Sequence, residues 1–232
     1  MKINIAISSN RRFLNNTYSP IVNGFLESGI DAEDIYIFNG NDNTPENKEI
    51  EDHKNQLGIN LINLNYNCFE LNSMLGILEH KLDNCDYWFI CHDTCQILKE
   101  FKEKLYNYDY KNFSCVRCGA GNGTGSIGSY RYSCLEESKK DFYKVKNAFD
   151  NESSQNDIKG MCVSLEDRIF LLDPNSSSYG GTSGIPDGKR HKEGRKAFKT
   201  KNSRIATYYN GIGVIKYKAN WHPKKIWEIN DL

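Results

Sequence analysis

Apolar positions along this chain follow two rhythms. Short runs rich in Ile, Phe, Tyr and Trp recur at residues 2–8, 34–38, 59–64 and 87–91, each bounded by Asn, Asp, Gly or Ser. Such runs are the signature of buried strands. Between them the apolar residues repeat at helical spacing. Ile21, Val22, Phe25 and Leu26 share a face behind Pro20, and Gly29 marks a stop. Leu71, Leu75, Leu78 and Leu82 form one stripe of a stronger amphipathic helix just ahead of the run at 87–91. Ile97, Leu98, Phe101 and Leu105 predict a short helix just after it. Strand, polar turn, helix, strand, polar turn is the order of a parallel sheet with crossover helices.

The second half is less regular. Residues 113–116 predict a short strand, and charged helical patterns follow at 135–148 and 158–172, the latter stopped by Asp173-Pro174. Strands are expected again at 204–209 and 213–217. Residues 41–55 are nearly all polar and read as a surface excursion. Residues 175–194 are poor in apolar side chains and dense in Ser, Gly, Lys and Arg, the make-up of a mobile loop or lid. The expected fold class is α/β, with a mostly parallel central sheet, flanking helices, and a single domain over 1–232.

Composition acts mainly by exclusion. The 30 basic and 30 acidic side chains cancel, so no concentrated basic face is expected and no nucleic-acid partner. No apolar run approaches the roughly 18 residues of a membrane span. Met1-Lys2-Ile3-Asn4-Ile5-Ala6-Ile7-Ser8 is too short in apolar residues for a secretory signal. A cytoplasmic location with mostly reduced thiols is therefore expected for the eight cysteines.

Candidate chemistry gathers where the central strand ends, at His92-Asp93-Thr94. A parallel strand opens into a ligand crevice at its carboxyl end. There an acidic group can hold a divalent ion and, through it, a phosphate. A plain alternative is that Asp93 or Thr94 caps a following helix. Neighbours on a strand point to opposite faces, so His92 and Asp93 reach one ion only where the strand turns. Asp93 is the harder ligand and the first choice for Mg²⁺ or Mn²⁺. The polar turns after the first two strands place Ser9, Arg11 and Asn41 at the same edge. Asn72 either starts its helix or faces the site, with the structural role favoured.

Other motifs are weaker. Gly123, Gly125 and Gly128 match G-x-G-x-x-G formally, but no helix start follows, as a dinucleotide loop requires. Cys115 and Cys118 have zinc-like spacing, and Cys91 with Cys95 completes four thiolates only if the fold brings both pairs together. The cluster around Arg190 and Lys192 suits a diphosphate or a solvated loop. Glu166-Asp167 offers a carboxylate base in the last helical pattern. Trp221 and Pro223 hold His222 stiffly at a corner.

In this order the features resemble the nucleotide-sugar-dependent glycosyltransferases of the GT-A fold. Tyr87-Trp88-Phe89-Ile90-Cys91-His92-Asp93-Thr94 is similar to the hydrophobic strand that ends in their Asp-x-Asp motif. The first acidic position of that motif is absent here. Gly125 to Arg131 resembles the acceptor-side segment, and Glu166-Asp167 the family's Glu-Asp pair. The resemblance implies a nucleotide-binding half at 1–110 and an acceptor-side half at 111–232, with a mobile loop at 175–196. It also implies a nucleoside-diphosphate sugar donor, a carbohydrate or other hydroxyl-bearing acceptor, and Mn²⁺ or Mg²⁺ held by Asp93 and His222. Asp167, with Glu166, takes the role of base, and Ser9, Arg11, Asn41, Arg190 and Lys192 contact the donor. Two alternatives stand beside this: a nucleotidyltransferase, and a non-catalytic carbohydrate- or protein-binding domain.

Overall fold

The computed structural model describes residues 1–118, 127–165, 175–179, 195–199 and 205–217, the segments 195–199 and 205–207 as backbone alone. Glu166, Asp167, Arg190, Lys192, His222 and most of the glycine tract lie outside the described residues, as does the greater part of the expected 175–196 loop.

Strand β1 (Ile3–Asn10) is buried along its whole length. It runs parallel to β2 (Ile35–Gly40) on one side and to β4 (Tyr87–His92) on the other. Beyond β2 lies β3 (Asn60–Asn63), again parallel. On the far side come β7 (Gly128–Tyr130) and β6 (Cys115–Arg117), both antiparallel to their inner neighbours, and then β8 (Ser176–Ser178). The order is β3-β2-β1-β4-β7-β6-β8. This is the expected α/β architecture, with a mixed, largely parallel sheet.

Both faces of the sheet are covered. Ile3, Ile5, Ile7 and Phe89 point to a core shared with α1 (Arg11–Glu27) and α4 (Phe101–Asn107), where Phe25 and Phe101 pack edge to face at 5.3 Å. Ala6, Trp88 and Ile90 face the opposite core. It is built on α3 (Asn72–Glu79), α5 (Tyr132–Glu137), α6 (Lys139–Asp150) and α7 (Gln155–Leu165). Each large apolar side chain removed from water in these layers contributes about 1.5–3 kcal/mol. The close approach of α3 to the sheet depends on Gly76, where a Cβ would stand 2.2 Å from Cδ1 of Phe38.

Three expectations are corrected. The first helix does not begin near Pro20 but at Arg11, because Asn10 caps it by accepting from the Phe13 amide at 3.0 Å. Leu14, Thr17 and Tyr18 extend the buried stripe N-terminally through Pro20. The polar excursion at 41–55 runs into α2 (Lys48–Leu57), capped by Asn47 and ended by Gly58 at φ 78°. Its one buried residue is Ile50, so few apolar side chains mark it in the sequence. Finally, Ile97 and Leu98 do not start a helix. Cys95–Ile97 form β5, paired antiparallel with β11 (Val214–Tyr217). With β10 (Ile205–Tyr209) and β9 (Arg195–Lys199) they make a second sheet of order β5-β11-β10-β9. The apolar alternation of Cys95 and Ile97 fits one covered strand face, so Asp93 and Thr94 cap no helix.

Candidate functional site

The chain leaves β1 toward β2 and β3 on one side and returns to β4 on the other. In open α/β sheets a crevice forms at such a reversal, outside the carboxyl ends of the two strands. Here those ends carry Ser8-Ser9-Asn10 and His92-Asp93-Thr94, six polar residues that are all buried. Ser8 lies opposite His92 in the ladder.

Ser9 and Asp93 come together at this point. The Ser9 hydroxyl donates to Oδ2 of Asp93 at 2.5 Å, and the Thr17 hydroxyl of α1 donates to the same oxygen at 3.3 Å. The Asp93 amide in turn donates to the Ser8 carbonyl at 3.2 Å. Burial pushes the Asp93 carboxyl up to about 6 despite the Ser9 and Thr17 hydrogen bonds, its own amide and the charge of Lys216. His92 goes the other way: burial, and then Lys216, hold its imidazole well below the usual range, so it is neutral at pH 7.

Beneath this pair lies a polar scaffold. Asn72, fully buried, donates to the Ser9 carbonyl at 2.8 Å and to Oδ1 of Asn67 at 3.2 Å, and accepts from the Cys68 amide at 2.7 Å. It thus starts α3 and pins the end of β1, as the structural reading expected. The Ser8 hydroxyl donates to the Glu70 carbonyl at 3.0 Å and lies 2.6 Å from that of Ser73. Glu70, on the 3₁₀ turn Phe69–Leu71, forms an ion pair with Lys159 of α7. A carbonyl and a carboxylate of one residue therefore tie α7 to the end of β1.

The other expected residues serve the surroundings. Arg11 turns toward the segment before α2, donating to Oε1 of Glu46 at 2.9 Å and to the Thr44 carbonyl at 3.4 Å. Its Nε and Oδ1 of Asn39 are buried without a hydrogen-bond partner in the structure, and both residues line a small cleft between α1 and α2. Asn41 stabilises its own turn, accepting from the Asn43 amide at 3.0 Å while its backbone N–H donates to the Tyr66 carbonyl at 2.8 Å.

The cysteines divide between the two cores. Cys91, Cys95 and Cys118 belong to one, and Cys115 to the other. The two pairs therefore do not converge on a tetrathiolate. Burial raises the Cys91 thiol strongly. Cys95 is pulled down: burial raises it, but a hydrogen bond with Cys91 and the charge of Lys216 outweigh that effect.

Lys216 is the main residue that sequence reasoning passed over. Its strand was expected, but a lysine in a short strand shows only which face it shares. Thr17 was hidden because the helix was expected to begin after it.

No protein-family model matches the chain, and no curated protein matches it either. Solved structures do. S. aureus TarS 1–349 superposes with a TM-score of 0.50 at 11% identity, over 77% of this chain and 58% of that one. The same protein in complex with UDP gives 0.50 at 11% identity, over 77% and 57%. The galactosyltransferase LgtC, crystallised with donor and acceptor sugar analogues, gives 0.49 at 9% identity, over 98% and 92%. This chain thus spans 58% of the length of TarS 1–349. At these identities the likeness shows the fold: a Rossmann-like α/β sheet shared with TarS.

Proposed function

We propose that this protein transfers a glycosyl group from a nucleoside-diphosphate sugar to an acceptor hydroxyl, with the donor's diphosphate at the mouth between β1 and β4. The observation that carries the reading is the Ser9–Asp93 hydrogen bond of 2.5 Å across the point where strand order reverses. Polar strand ends concentrated at that edge are what a nucleotide crevice requires. The shared fold with TarS, a protein crystallised with UDP, supports the same reading.

In this reading the buried strand ends orient the donor, and Asp93 fixes Ser9 and Thr17 around it. Asp167 is the proposed base that takes the acceptor's proton, with Glu166 beside it. In the sequence both come after Leu165, the last residue of α7. Arg190 and Lys192 are proposed to close on the diphosphate and limit hydrolysis.

The resemblance also assigns Mn²⁺ or Mg²⁺ to Asp93 and His222. Of the two, Asp93 alone lies among the described residues; with His222 it would hold the ion, which would neutralise charge on the diphosphate. Oδ2 of Asp93 is already engaged by two hydroxyls. Among the described residues no group of three or more His, Cys, Asp or Glu could hold a metal; at a phosphate site Mg²⁺ takes one or two carboxylates, with substrate oxygens and water as its other ligands. The proposal rests on the diphosphate and routes no step through an ion.

Calorimetric titration with UDP, GDP and CDP tests it. Saturable binding of one of them, with transfer from the corresponding nucleotide sugar lost in Asp167→Asn but binding kept, is the expected result. If none of the three binds, with or without Mn²⁺, the enzyme reading fails and a non-catalytic domain takes its place.

A further inference from the structure

Near the end of β2 a relay of side chains decides which way Asn39 faces. Asn39 shares the α1 side of the sheet with Ile35 and Ile37. It is the register partner of Ser9 in the β1–β2 ladder, and so stands on the β2 side of the mouth proposed for the diphosphate. Its Nδ2 donates to Oδ1 of Asn63 at 2.8 Å, and Nδ2 of Asn63 donates to Oε1 of Glu51, on α2, at 3.3 Å. A carboxylate only accepts. Glu51 therefore fixes the amide of Asn63, and Asn63 fixes that of Asn39. Oδ1 of Asn39 is left to the cleft between α1 and α2, whose apolar lining is Leu14, Ile50 and Leu61. Asn39 is 4% exposed, and among the described residues this oxygen has no hydrogen-bond partner. Nε of Arg11, another residue lining the cleft, is a buried donor in the same condition.

We infer that Glu51 is a positioning residue for the donor's base: through Asn63 it turns the Asn39 carbonyl into this cleft, which then selects uracil by its N3–H. The inference rests on the glycosyltransferase reading above and deepens it by naming the base. A buried acceptor and a buried donor, both unsatisfied on one cleft, ask for a ligand edge that carries an N–H beside an acceptor. In uracil N3–H stands between two carbonyls, so either carbonyl can take the Arg11 N–H. Cytosine meets the two groups only through its amine, whose second N–H then needs an acceptor of its own. Guanine carries an amine beside its ring N–H and has the same surplus. The carboxylate oxygens nearby are engaged already: Oε1 of Glu46 by Arg11, and those of Glu51 by Asn63 and Lys54.

The test is calorimetry with UDP, GDP and CDP on the wild-type chain, on Glu51→Lys, and on Glu51→Lys combined with Asn63→Asp. Wild type should prefer UDP. UDP methylated at N3 should bind it about 10- to 100-fold more weakly, the cost of one stranded buried group. An ammonium at position 51 only donates, so Glu51→Lys reverses the relay and turns Nδ2 of Asn39 to the cleft. There it meets uracil N3–H donor to donor, whereas the ring N3 of cytosine accepts. The ratio of UDP to CDP affinity should fall by about 10- to 100-fold. Adding Asn63→Asp restores an acceptor for Nδ2 of Asn39 and should return the ratio to within a few-fold of wild type. A Glu51 that merely holds α2 in place would weaken UDP and CDP alike. That outcome, a ratio the double variant does not restore, full binding of the methylated UDP, or a wild type that prefers CDP or GDP overturns the inference and leaves the transferase reading standing. A wild-type chain that binds none of the three diphosphates, with or without Mn²⁺, overturns both.

Discussion

Replacing Asn72 with Ala tests whether the crevice is built on a preformed polar scaffold. Asn72 is wholly buried and makes three hydrogen bonds, to Ser9, Asn67 and Cys68. Truncation leaves the Cys68 amide and the Ser9 carbonyl each short of a partner. A buried polar group so stranded costs about 1–3 kcal/mol, and the vacated amide volume adds a cavity cost. A loss of about 3–5 kcal/mol is expected in total. For a chain of this size each kcal/mol lowers Tm by about 2–4 °C, so scanning calorimetry should show a fall of about 6–20 °C. Asn72→Asp should do no better. It keeps an acceptor for Cys68 but turns an oxygen toward the Ser9 carbonyl where Nδ2 donated. A fall below about 2 °C in Asn72→Ala would refute the reasoning, because the end of β1 would then not depend on this side chain.

Gly76→Ala should cost about 1–3 kcal/mol by overpacking, since its Cβ would lie 2.2 Å from Phe38; an unchanged Tm would show that α3 can lift off the sheet at no cost. Lys159→Met should destabilise by about 1–3 kcal/mol, discounted for partial exposure, because Glu70 is buried and loses its cation. Adding Glu70→Gln should restore most of that loss, and a double variant no better than the single one contradicts the pairing. For Asp93 the folded carboxyl is raised to about 6 from 3.8. The stability this group contributes is therefore fully present below about pH 4 and lost as pH rises through about 6. The stability of wild type relative to Asp93→Asn should thus fall by about 2–3 kcal/mol between pH 4 and 7; a flat difference in urea denaturation across that range would contradict the burial argument.

How much of this was legible in the sequence depends on which physical signal was loud. Strands β1, β2 and β4 are covered on both faces, so their apolar runs stand out, and the crevice at their carboxyl ends follows from topology. Ser9 and Asp93 could be placed at one edge for that reason. Their direct contact could not, because hydroxyl-to-carboxylate geometry depends on how α1 is capped. Helix α2 escaped notice because Ile50 is its one buried residue. β5 read as part of a helix because Ile97, Leu98, Phe101 and Leu105 have helical spacing, and the competing two-residue alternation is only three residues long. Arg11 looked like a phosphate ligand by position, yet Glu46, 35 residues on, holds it. Lys216 lay beyond reach, since what brings it opposite Cys95 is the pairing of β5 with β11, a contact between residues more than a hundred positions apart.

The central claim is that a nucleoside diphosphate occupies the mouth between β1 and β4. A crystal structure of the chain grown with UDP, with and without Mn²⁺, tests it most directly. The account predicts diphosphate oxygens at the carboxyl ends of β1 and β4, beside the Ser9–Asp93 pair. Density for UDP elsewhere on the chain, with that mouth filled by water, would contradict it.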